Sequence, residues 1–75
     1  MKHIIMGVRD GEDFASYETT LKITSSALAR VMRWESKEDY VYDYELTKSQ
    51  IRAIEQVGSI SLPNDLTLFL TSLES

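Results

Sequence analysis

Three stretches of the chain keep a two-residue period in side-chain character, and that period restricts the fold more than any other feature. KHIIMGVR at 2–9 places Ile4, Met6 and Val8 on one side and His3, Ile5, Gly7 and Arg9 on the other. FASYETTLKI at 14–23 places Ala15, Tyr17, Thr19, Leu21 and Ile23 opposite Phe14, Ser16, Glu18, Thr20 and Lys22. DYVYDYEL at 39–46 places Tyr40, Tyr42, Tyr44 and Leu46 opposite Asp39, Val41, Asp43 and Glu45. Alternation of this kind marks half-buried strands. DGED at 10–13 is a turn signal, with Gly11 free to take positive φ, so the first two strands are expected to form a hairpin.

Between these stretches the period lengthens. Thr24-Ser25-Ser26 supplies hydroxyls that can accept the free N–H groups of a first helical turn. Ala27, Leu28, Val31 and Met32 then form an apolar stripe, and Trp34 stands at its end. Thr47-Lys48-Ser49-Gln50 fits a capping box, followed by Ile51, Ile54 and Val57, with Gly58 as the expected stop. In the last segment Leu62, Leu66, Phe69, Leu70 and Leu73 fit a third helix; an edge strand over 66–71 is the competing reading. The expected order is β-β-α-β-α-α. This is an α+β fold, a three-stranded antiparallel or mixed sheet with helices packed on one face; a right-handed crossover through the first helix would lay the third strand parallel to the second.

A chain of 75 residues has room for one core, so residues 1–75 read as a single domain. Such a core supplies only about 3–5 kcal/mol, and with no cysteine there is no disulfide to add to it. The net charge of −4 argues against nucleic acid as a partner, because phosphate binding needs clustered bases. No apolar run approaches the roughly 18–20 residues that span a bilayer. Asp10, Glu12 and Asp13 follow the short apolar start with no small-residue cleavage site, so no signal peptide and a cytoplasmic location are expected.

The helix stripes are expected to cover Ile4, Met6, Val8, Tyr17, Leu21 and Tyr42. That leaves His3, Arg9, Phe14, Glu18, Lys22, Val41, Asp43 and Glu45 on an uncovered face, which an antiparallel sheet tolerates. Such a face is most simply a solvated surface; the functional reading makes it a docking surface. Charge is concentrated near it. Glu35, Glu38, Asp39, Asp43 and Glu45 stand against Lys37 alone, so residues 35–45 carry −4, equal to the whole chain. Tyr40, Tyr44 and Trp34 are interleaved with these acids. Tyrosines at such positions commonly fill a core edge, their hydroxyls reaching water or a carbonyl. They also serve as interface anchors, and acids with aromatic neighbours suit a basic protein partner.

The residues of most catalytic chemistries are missing. The glycines are isolated, so no phosphate loop forms. His3 is the only histidine, and DGED is too short for a calcium loop. Ser25 and Ser26 read as helix caps, and no carboxylate pair stands out as an acid and base. No catalytic residue, metal or cofactor is expected, and the chain is not expected to be an enzyme.

KHIIMGVRDGED, the short helix and DYVYDYELTKSQIRAIEQV together resemble small bacterial domains of unassigned function. More loosely, the chain resembles the small acidic immunity proteins that neutralise bacteriocins and contact-delivered toxins. The shared features are size, acidity, absence of cysteine, and a Tyr/acid strand feeding a capped helix. The resemblance implies a non-catalytic inhibitor that occludes the active surface of a basic partner such as a toxin nuclease domain. Its contact residues would be Trp34, Glu35, Glu38, Asp39, Tyr40, Asp43, Tyr44 and Glu45. Two other readings stay open. One is a phage or host regulator acting through the same surface. The other is a self-associating module, a homodimer paired through Ile5, Phe14 and Val41.

Overall fold

The computed structural model describes residues 1–73, with Lys37 described for its backbone only. Strand β1 (Lys2–Val8) is followed by β2 (Ala15–Thr20), helix α1 (Ser25–Met32), a 3₁₀ turn (Lys37–Val41), β3 (Tyr44–Glu45), helix α2 (Lys48–Gly58) and β4 (Thr67–Leu73). The sheet order is β2-β1-β4-β3, and every neighbouring pair is antiparallel. The fold is α+β as expected, but with four strands and two helices.

The expected third helix is instead β4, paired with β1 from Lys2↔Leu73 to Val8↔Thr67 and with β3 at Tyr44↔Leu70 and Glu45↔Phe69. Leu62, Leu66, Phe69, Leu70 and Leu73 match a helical stripe by spacing, and Leu68 does not. Thr67, Thr71 and Phe69 favour extended backbone, and a central position lets Leu68 and Leu70 bury completely. β3 is accordingly separated from β2 by two intervening strands, β1 and β4, and among the described strands no parallel pairing forms.

The second correction concerns which side of β1 faces the helices. His3, Ile5 and Gly7 point inward, in register with Leu70 and Leu68 of β4 and with Thr19 and Tyr17 of β2. Ile4, Met6 and Val8 lie on the opposite face. Ile4, Met6 and Val8 look the more apolar set, yet Gly7 is required on the inner side. A Cβ there would meet Leu66 Cδ1 at 2.7 Å, Leu68 Cδ2 at 3.1 Å and Tyr17 Cβ at 3.2 Å. The missing side chain is the space these residues fill. Tyr17 and Leu21 do face the core as expected. Ile5, assigned to a self-association face by sequence, is fully buried.

Each helix has the local chemistry its sequence signals. Ala27 N donates to Thr24 Oγ1 at 3.1 Å, opening α1. Gln50 N donates to Thr47 Oγ1, and Thr47 N to Gln50 Oε1, so α2 opens on a complete capping box. The stop differs: Gly58 is the last helical residue, and Ser59 takes the left-handed conformation, φ 52°. Between them Leu28 and Ile54 reach Ile5, Leu68 and Leu70 to make the centre of the core, surrounded by Leu21, Met32, Leu46 and Leu62.

Candidate functional site

The strand expected over 39–46 shortens to Tyr44–Glu45 because Ser36 and Asp39 build a different local structure. Asp39 Oδ2 accepts from Glu35 N at 2.9 Å and from Ser36 N at 3.3 Å, and this closes the 3₁₀ turn. The Asp39 carboxylate is thereby committed to the backbone. The Tyr44 hydroxyl donates to the Asp39 carbonyl at 2.6 Å, which fastens the turn to the sheet. Burial raises the Tyr44 pKa above the usual phenol value, with the Asp39 charge adding to it. The buried indole N–H of Trp34 has no hydrogen-bond partner among the described residues.

Trp34, Tyr40 and Tyr44 pack together. Ring centroids are 4.6 Å apart for Trp34 and Tyr40 and 5.6 Å for Trp34 and Tyr44. The cluster closes over His3, whose ring lies 6.3 Å from Trp34 and 6.4 Å from Tyr40. His3 is 2% exposed. Its Nδ1 is 2.7 Å from Ser72 Oγ and its Nε2 2.8 Å from Ser25 Oγ. Its pKa is lowered, first by burial and then by the positive chain terminus. A histidine expected on the outer face is therefore a polar core residue with both nitrogens partnered.

Of the eight residues singled out from sequence, four are exposed acids: Glu35, Glu38, Asp43 and Glu45. Trp34, Tyr40 and Tyr44 are half-buried and support one another, and Asp39 is the turn's cap. The exposed aromatic of the region is Tyr42, at 60%, beside Val41 at 62%. Tyr42 was expected to point into the helices. The 3₁₀ turn breaks the alternation just before it, so parity with Tyr44 no longer assigns its face.

Asp43 and Glu45 project from the uncovered side of the sheet as expected. Thr71 Oγ1 donates to Asp43, and Glu45 stands opposite Phe69. Register places Glu18, Met6, Phe69 and Glu45 in one row across this face. The adjoining row holds Thr20, Ile4 and Thr71. Glu18 and Glu45 thus flank the half-buried Met6 and Phe69, while the buried Ile4 lies between Thr20 and Thr71. Met6 and Phe69 were not marked as site residues. Phe69 was hidden by the helical reading of its segment, and Met6 by the reversed face of β1.

No protein family matches the chain, and no curated protein or solved structure does either. Among the described residues no group of three histidine, aspartate or glutamate side chains is placed to hold a metal ion. Among the described residues no helix is long and apolar enough to cross a membrane.

Proposed function

We propose that the chain is a non-catalytic binding protein that neutralises a basic protein partner by covering its active surface, in the manner of an immunity protein. The supporting observation is the concentration of exposed acids at one edge of the sheet. The exposed acids Glu35 and Glu38 precede the exposed Val41–Tyr42 pair in the chain, and the exposed Asp43 and Glu45 follow it. Acids draw a basic surface into encounter, and the exposed phenol and valine supply contact area once it arrives. The Trp34–Tyr40–Tyr44 cluster holds this edge in shape. Its preorganisation lowers the entropy cost of binding.

The test is affinity capture from host lysate with the wild-type chain and Asp43→Lys/Glu45→Lys side by side. The wild type is expected to hold one basic protein in stoichiometric amount and release it with salt, and the variant to recover little of it. Identical capture by the two forms would contradict the proposal.

A further inference from the structure

The uncovered sheet face has a shape and charge pattern that select one kind of partner element. Its central strip is the half-buried pair Met6 and Phe69, with Val8 continuing it along β1; Ile4, next along β1, is buried at 7% and offers little contact area. Glu18 bounds the strip on the β2 side. Glu45 bounds it on the β3 side, and Asp43 is held beside it by Thr71. Glu18 and Glu45 lie on strands three spacings apart, about 14 Å. An α-helix with its side chains is about 10–12 Å across. The seven residues of β1 extend about 23 Å, the length of about 15 helical residues.

The geometry points to an amphipathic helix of the partner lying along β1 and β4, its apolar stripe on Met6 and Phe69 and bases on both flanks. This rests on the reading of a basic partner and specifies which part of it is held. A second copy of the chain fits the face poorly. The strand positions of this face carry Glu18 and Glu45 against Lys2 alone, and each copy has a net charge of −4. Two such faces would meet acid to acid.

The probe is a synthetic 15-residue helix with a leucine stripe and lysines on both flanks, titrated into isotope-labelled protein and followed by NMR. Saturable shifts are expected at Met6, Phe69, Glu18 and Glu45. A scrambled peptide of the same composition should bind about tenfold more weakly, since it keeps the charge and loses the stripe. Met6→Lys, with its fold verified by its spectrum, should also cost about tenfold. Equal binding of the scrambled peptide, or no shift at Met6 and Phe69, would overturn the helix assignment. Shifts confined to Glu35, Glu38 and Tyr42 would overturn it too, while leaving the acidic edge as a surface for a basic partner.

Discussion

The His3 imidazole and the Ser25 hydroxyl meet at 2.8 Å and join the first strand to the first turn of α1. The other ring nitrogen reaches Ser72 in β4, so one side chain ties three elements together. Its burial gives the fold a pH dependence. Because the folded-state pKa is lowered, the unfolded chain takes up the proton first as pH falls below about 6.5. Stability is complete above that value and declines as pH falls toward the folded-state pKa. Thermal unfolding should show a lower midpoint at about pH 5.5 than at about pH 7. His3→Gln should flatten that slope and lose about 1–3 kcal/mol at neutral pH. An unchanged slope in the variant would show that other groups carry the pH dependence.

Gly7 is held at its position by its neighbours. Gly7→Ala places a methyl group against Leu66, Leu68 and the Cβ of Tyr17. Leu66 Cδ1 is the end of a flexible side chain and can move, whereas Tyr17 Cβ is fixed to the backbone of β2. Denaturant unfolding should show a loss of about 1–3 kcal/mol. A neutral result would mean that the inner side of β1 is loosely packed.

The aromatic residues of the acidic edge divide into supports and contacts. Trp34→Ala removes the ring on which Tyr40 and Tyr44 pack and should cost about 2–4 kcal/mol of stability. Tyr42→Ala removes an exposed ring and should change stability by no more than about 0.5 kcal/mol. Its effect should appear instead as faster dissociation of a captured partner. Comparable destabilisation by the two substitutions would remove the distinction.

Ser59 ends α2 with a positive φ that L-residues adopt at a cost. Ser59→Gly relieves that strain, partly offset by the greater freedom of glycine in the unfolded chain. A gain of about 0.5 kcal/mol in denaturant unfolding is expected. A loss would show that the serine side chain has a role of its own at this cap.

Much of this was legible in the sequence. The hairpin, both helices, the Thr47 cap and the outward direction of Asp43 and Glu45 follow from periodicity and local hydrogen-bonding chemistry; of the hydroxyls at 24–26, Ser25 and Ser26 read as caps, whereas Thr24 caps α1 and Ser25 bonds His3. What stayed hidden depended on contacts between distant segments. Leu66, Phe69, Leu70 and Leu73 match a helix by spacing, and only Thr67, Leu68 and Thr71 speak for a strand until β1 and β3 pair on either side of β4. His3 looks like a surface residue until Ser25 and Ser72, far away in sequence, satisfy both of its nitrogens. Gly7 carries no apolar signal, so the inner face of β1 was assigned to the wrong three residues. Tyr42 left the core because Asp39 spends its carboxylate on the backbone of the 3₁₀ turn.

The surface offered to a partner requires Asp43 and Glu45 to share an outward sheet face with Met6 and Phe69, and Tyr42 to stand in solvent at its edge. A soluble paramagnetic probe added to labelled protein measures this directly. The signals of the exposed Tyr42 should broaden strongly and those of the half-buried Met6 and Phe69 measurably, while those of His3, Ile5, Leu28 and Leu70 stay sharp. Sharp Met6 and Phe69 signals beside a broadened Ile5 would contradict the orientation of the sheet, and with it the surface offered to a partner.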